Sequence, residues 1–257
     1  MQEVDQMVDE TKKEIPESVS RRKFIRNTGY VVGGVVVGGA VGSLLPFGNK
    51  TKEIKNNETS PTKSENFNQA LMHFTQEQFN IVQAATERIF PEDENGPGAK
   101  ALGVAFFIDH QLAGDWGFNS RDYMQAPFYK GEKVQGYQGR LKRREIFDIA
   151  LQEMQNHSME KYKKKFTDLS GDEQDAILKD FEGDKVNITT ISPSGFFNIL
   201  RSSTLEGVYS DPLYGGNMNM AGWKMKNYPG NQMAYSEIIE KGYKKIAPQS
   251  LRDHLAH

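Results

Sequence analysis

Helix punctuation constrains this chain more than any other feature. Thr75-Gln76-Glu77-Gln78 and Ser170-Gly171-Asp172-Glu173 each set a hydroxyl three residues ahead of a Gln or Glu. That is the reciprocal arrangement of a capping box. After the first box, Phe79, Val82, Ala85, Ile89 and Phe90 recur at helical spacing until Pro91 stops them. After the second, Ile177, Leu178 and Phe181 form one face. Ser192-Pro193-Ser194 supplies a third start, an N-cap with proline placed for a first turn, ahead of Phe196, Phe197, Ile199, Leu200, Leu205 and Val208. The spacing predicts further helices over residues 99–112, 139–166 and 236–244. The longest carries Phe147, Leu151, Met154, Ser158 and Tyr162 as its stripe. No stretch alternates with period two for long. The class is therefore mainly α, a single compact helical domain over residues 69–257.

Two long aromatic and Gly-rich loops interrupt this pattern, and both tryptophans lie in them. The first, residues 115–137, holds Trp116, Phe118, Tyr123, Phe128, Tyr129 and Tyr137. The second, residues 207–230, holds Tyr209, Asp211, Tyr214, Gly215, Gly216, Trp223 and Tyr228. Long irregular segments in a compact domain are uncommon and usually functional. Two readings fit them: an aromatic protein–protein surface, or a lid folded over the chain's own core.

Residue chemistry excludes more than it suggests. The chain has no cysteine, so disulfides, thiolate metal sites, cysteine nucleophiles and covalent c-type haem are ruled out. A net charge of −2 gives no basic field for nucleic acid. Five histidines form no H-x-x-x-H and no E-x-x-H pair, so a di-iron helical bundle is not expected. His110 reads as a satisfied structural residue. Gly215-Gly216 lacks the spacing of a phosphate-binding loop. Arg201, Glu206 and Asp211 are spaced five apart around the start of the second loop, and the expectation is a buried network that pins it. No catalytic, cofactor-binding or metal-ligating constellation emerges.

The N-terminus reads as an address. Ser20-Arg21-Arg22-Lys23-Phe24-Ile25 matches the twin-arginine pattern, with residues 1–28 as the n-region. Residues 29–45 form a 17-residue apolar run diluted by six glycines, short for a bilayer span. No small-x-small cleavage site stands at Leu44-Leu45-Pro46-Phe47-Gly48, so this run is expected to persist as an anchor. Residues 46–68 hold almost nothing to bury and read as a flexible tether. The expected location is beyond the cytoplasmic membrane: on its outer face, in the periplasm or outside the cell.

The stretch from Phe196 to Asn217, with Arg201, Thr204, Glu206-Gly207 and Asp211-Pro212-Leu213-Tyr214-Gly215-Gly216-Asn217, is followed by Gly222-Trp223 and Pro229-Gly230. It resembles the motif of the gluconate 2-dehydrogenase subunit 3 family. Phe74-Thr75 through Gln78, and on to Ile89-Phe90-Pro91, resembles that family's first helix.

The resemblance implies a non-catalytic accessory (gamma) subunit, not an enzyme in itself. Its partner would be a large FAD-dependent dehydrogenase of the glucose–methanol–choline type, acting on CH–OH donors. A c-type cytochrome often completes such complexes. The small subunit would hold no cofactor of its own and would assist folding and co-export through the twin-arginine translocase. Trp116 and Phe118, with the motif residues from Arg201 to Gly230 named above, are the expected partner interface. Two other readings stay open on the residues alone. One is a free-standing, tethered, extracytoplasmic binding domain. The other is an enzyme using the Gly-rich loop with Glu206 or Asp211.

Overall fold

Seven α-helices and four short 3-10 turns make up the regular structure of the described residues in a computed structural model. These residues are 69–255, without 130, 133, 134, 237, 238 and 243. The targeting residues Ser20, Arg21, Arg22, Phe24 and Ile25, the apolar run and the tether all lie outside them. Among the described residues there is no strand, and no helix is long and apolar enough to cross a membrane.

Both capping boxes form. Thr75 Oγ1 accepts from Gln78 N at 3.2 Å while Gln78 Oε1 accepts from Thr75 N at 2.9 Å, opening α1 (Gln76–Ile89). Ser170 and Glu173 repeat the exchange at α4 (Gly171–Glu182). Ser192 Oγ accepts from Gly195 N at 3.1 Å and starts α5 (Pro193–Tyr209).

Two helices are shorter than their periodicity predicts, for local polar reasons. The helix expected from residue 99 begins five residues later, as α2 (Val104–Ala113). The Glu87 carboxylate accepts from Glu92 N at 3.1 Å and Lys100 N at 2.8 Å, drawing that loop onto α1. Gly103 then turns the chain in the left-handed region, at φ 72°. α3 (Arg143–Tyr162) starts late because Glu145 caps Lys142 N at 2.7 Å. It stops where Lys163 turns left-handed and Ser158 Oγ donates to Lys164 O at 2.8 Å. The helix expected over residues 236–244 is absent from the described residues there. Only the turn Ile239–Lys241 is helical, ahead of a left-handed Gly242, and the C-terminal helix is α7 (Leu251–Leu255).

α5 packs against α1, α2, α3 and α4 and is the spine of the fold. An aromatic column runs through the core. Phe147 of α3 meets Phe196 of α5 edge-on at 5.3 Å, and Phe196 meets Phe181 of α4 at 5.9 Å. Phe147, Phe166, Phe181 and Phe196 are all essentially inaccessible. Burying each such ring stabilises the fold by roughly 1.5–3 kcal/mol. Leu205, expected on the core face of α5, faces outward at 39% exposure. It lies one residue beyond buried Thr204, where the helix has rotated off the core. A half-buried ion pair, Arg88 Nε and Nη2 to Asp175 at 2.7 and 2.9 Å, ties α1 to α4.

Candidate partner-binding face

The second aromatic segment is not a loose loop. α5 continues to Tyr209, and the turns Pro212–Tyr214 and Met218–Met220 and the helix α6 (Ala221–Met225) follow. This string is pressed back onto α5 and α2, so the lid-over-core reading describes it. Asn217 is fully buried in a left-handed conformation, φ 47°. Its Nδ2 donates to Ser210 O at 2.8 Å and its Oδ1 accepts from Gly222 N at 2.7 Å. One amide thus bridges the end of α5 to the start of α6. Trp223 is 5% exposed, and its Nε1 donates to Tyr209 O at 2.7 Å. Met218 N donates to Leu102 O at 3.1 Å, fastening the string to the approach to α2.

Close approach explains the glycines. A Cβ at Gly216 would lie 2.2 Å from Gly207 O, and one at Gly222 would lie 2.0 Å from Val208 O. One at Gly207 would meet the Phe107 ring at 2.9 Å. Gly230 has φ 70°, and a Cβ there would lie 2.3 Å from Gln249 O. Only glycine lets these backbones touch. Gly215 N donates to Pro212 O at 3.2 Å, and Gly216 is packed against Gly207 O. The turn is closed against itself and has no room for a pyrophosphate. The residues present do not fit a flavin nucleotide.

The expected Arg201–Glu206–Asp211 network does not form. No hydrogen bond or ion pair joins the three. Asp211 does pin the loop, but to the C-terminal segment: it accepts from Ser250 Oγ at 2.6 Å and Leu251 N at 2.8 Å, besides Leu213 N at 2.9 Å. Ser250 is a residue that sequence reasoning missed, because it lies 39 residues away. Arg201 is half-buried, and Thr204 Oγ1 donates within α5 to Leu200 O at 2.7 Å. Glu206 remains more than a third exposed, yet the surrounding chain partly desolvates its carboxyl and raises its pKa, against an opposing pull from Arg143.

Thr204, Gly207, Gly215, Gly216, Asn217, Trp223 and Gly230 are therefore buried within this chain. Asp211, Pro212 and Pro229 are half-buried, and Tyr214 and Glu206 are exposed. Among the motif residues, Tyr214 and Glu206 offer the most free surface.

The first aromatic segment divides in two. Its start is built in. Trp116 packs edge-on to Phe147 at 6.3 Å, with the Arg143 guanidinium 5.1 Å over its ring. Arg143 Nη1 also donates to Trp116 O at 3.1 Å and Asp122 Oδ2 at 2.7 Å, while Asn119 Oδ1 accepts from Arg143 N at 2.8 Å. Arg143 and Asn119, which carry no sequence signal of their own, are the hub of this corner. Phe118 stands outside at 41% exposure, flanked by Arg144 at 4.3 Å and Lys142 at 5.5 Å from its ring centre. Beyond it, Tyr123, Phe128, Tyr129 and Tyr137 are exposed.

A third feature went unread in the sequence. Asp109 is fully buried in α2, and its carboxylate accepts from Met72 N at 2.6 Å, His73 N at 3.0 Å and Phe74 N at 2.6 Å. His110 Nε2 lies 2.9 Å from Ala70 O, the satisfied role expected of it. Together they clamp the residues that enter α1. Among the described residues, no group of three or more His, Cys, Asp or Glu side chains is arranged to hold a metal ion.

No curated protein and no solved structure matches the chain. A model of the gluconate 2-dehydrogenase subunit 3 family matches residues 76–230. That span begins at the first residue of α1 and ends at the glycine seated on Gln249. It takes in the closed Gly-Gly turn, the Asn217 bridge and Trp223. More than half of the sequence fits, and the chain belongs to the gluconate 2-dehydrogenase subunit 3 family.

Proposed function

We propose that this chain is the non-catalytic accessory subunit of an exported FAD-dependent dehydrogenase complex acting on a sugar or sugar acid. The flavin belongs to a large subunit of the glucose–methanol–choline type, and a c-type cytochrome subunit completes the electron path. The accessory chain binds the folded flavoprotein and carries it through the twin-arginine route on the strength of Ser20, Arg21, Arg22, Phe24 and Ile25. Residues 29–45 then hold the complex at the outer face of the cytoplasmic membrane.

Family membership over residues 76–230 is the observation that carries this reading. The closed Gly-Gly turn supports it, because it leaves the redox group to a partner. Route and cargo are tested together by replacing Arg21 and Arg22 with lysine. The expected result is that both this chain and the flavoprotein stay in the cytoplasm. Normal export of the flavoprotein in that strain overturns the carrier role.

A further inference from the structure

The aromatic rings between Phe118 and Leu141 are placed as though for another molecule. Tyr123, Phe128, Tyr129 and Tyr137 are 83%, 40%, 77% and 47% exposed. Single exposed rings are ordinary, but five within twenty residues, counting Phe118, form a patch. The backbone is equally uncommitted. From residue 123 to 129 no main-chain hydrogen bond is made within the chain. The segment is irregular there, with N–H and C=O groups open to pairing.

Charge narrows the partner. Residues 115–145 carry seven Lys/Arg and four Asp/Glu, a local excess of three positive charges on a chain whose net charge is −2. Arg121, Arg140 and Lys142 are exposed around the rings. Arg121 has only a distant pairing, 3.9 Å to an equally exposed Asp115.

We infer that residues 118–141 are a docking strap for an acidic patch on the flavoprotein subunit, a reading that rests on the accessory role proposed above. The rings fill apolar hollows on the partner, the open peptide groups of residues 123–129 bond to its backbone, and the Arg/Lys rim pairs with its carboxylates. An anionic membrane would also attract cations and tyrosines. It is disfavoured because unbonded peptide groups cannot enter hydrocarbon. The interspersed Asp122 and Glu132 would also meet like-charged headgroups.

The test uses the full-length chain and the flavin-containing subunit with which it co-purifies. In the complex, amide hydrogen exchange at residues 123–129 slows at least about tenfold. The triple variant Tyr123→Ser, Phe128→Ser and Tyr129→Ser binds that subunit about a hundredfold more weakly, with its melting temperature unchanged. Arg121→Glu with Arg140→Glu weakens binding about tenfold at low salt and less at high salt. If no flavoprotein accompanies the wild-type chain, the accessory role itself fails and the strap with it. If the wild-type pair forms but the triple variant binds equally well and the amides stay unprotected, the strap is refuted and the accessory role stands. Loss of binding to phosphatidylglycerol vesicles by the triple variant, with flavoprotein binding intact, makes the strap a membrane face and overturns the proposal.

Discussion

Replacing Gly222 with alanine tests whether the family motif is an internal lid. The added methyl carbon would lie 2.0 Å from Val208 O and 2.9 Å from Asn217 Oδ1. The first distance is about 1 Å inside any contact a Cβ tolerates. Val208 is fully buried near the end of α5 and cannot retreat without disturbing that helix. The cheaper relief is to lift α6. Lifting it forfeits the Gly222–Asn217 and Trp223–Tyr209 hydrogen bonds, about 1 kcal/mol each, and part of the burial of Trp223, about 1.5–3 kcal/mol. Overpacking without release costs about 1–3 kcal/mol. The expected destabilisation is therefore about 2–4 kcal/mol. Urea unfolding measures it, with Trp223 as the sole reporter in a Trp116→Phe background and a red-shifted emission in the Gly222→Ala variant. Tyr214→Ala, at an exposed position in the same motif, serves as the control and should change stability by less than about 0.5 kcal/mol. A loss below about 1 kcal/mol at Gly222, with unshifted emission, would refute the seating of α6 on α5.

Three further outcomes follow from the polar contacts. Asp109→Ala strips the acceptor from three main-chain N–H groups and should cost about 2–4 kcal/mol. The loss is capped because residues 70–74 can open to water, so limited proteolysis should cut there first. Burial alone would raise the Asp180 pKa, but hydrogen bonds from His157 and Lys161 outweigh it and hold the carboxyl below its ordinary value. A depressed folded-state pKa gives stability that is present above the unfolded value, about 4, and lost as pH falls through the folded one. Thermal melts should therefore show Asp180→Asn less stable than wild type at neutral pH, with the gap closing in acid. Arg88→Met leaves Asp175 buried without its cation and should cost about 3 kcal/mol, much of it regained in the Arg88→Met, Asp175→Leu double variant; chemical denaturation of the three proteins checks this.

The sequence was most legible where one local interaction decides the outcome. Thr75–Gln78 and Ser170–Glu173 cap the helices they announce, and the Phe147–Leu151–Met154–Ser158 stripe is buried as its spacing requires. Contacts between distant residues were not legible. The starts of α2 and α3 are set by Glu87 and Glu145 side chains bonding to main-chain N–H groups, which periodicity cannot weigh against helix propensity. Asp211 was rightly singled out as the pin of the loop, but Ser250 and Leu251, about forty residues on, are what it holds. Motif residues grouped as one surface separate by burial: Asn217 and Trp223 face inward while Tyr214 and Phe118 face out. A list of aromatic and Gly-rich positions cannot make that division. It depends on which backbones approach within a glycine's tolerance, as at Gly216 and Gly222.

The most direct test of the accessory role is to purify the full-length chain from its native membranes through a C-terminal tag, under gentle extraction, and record the absorbance spectrum. The account predicts flavin bands, carried by a larger co-purifying chain with dehydrogenase activity. A colourless protein that emerges alone would contradict it and point to a free-standing tethered binding domain.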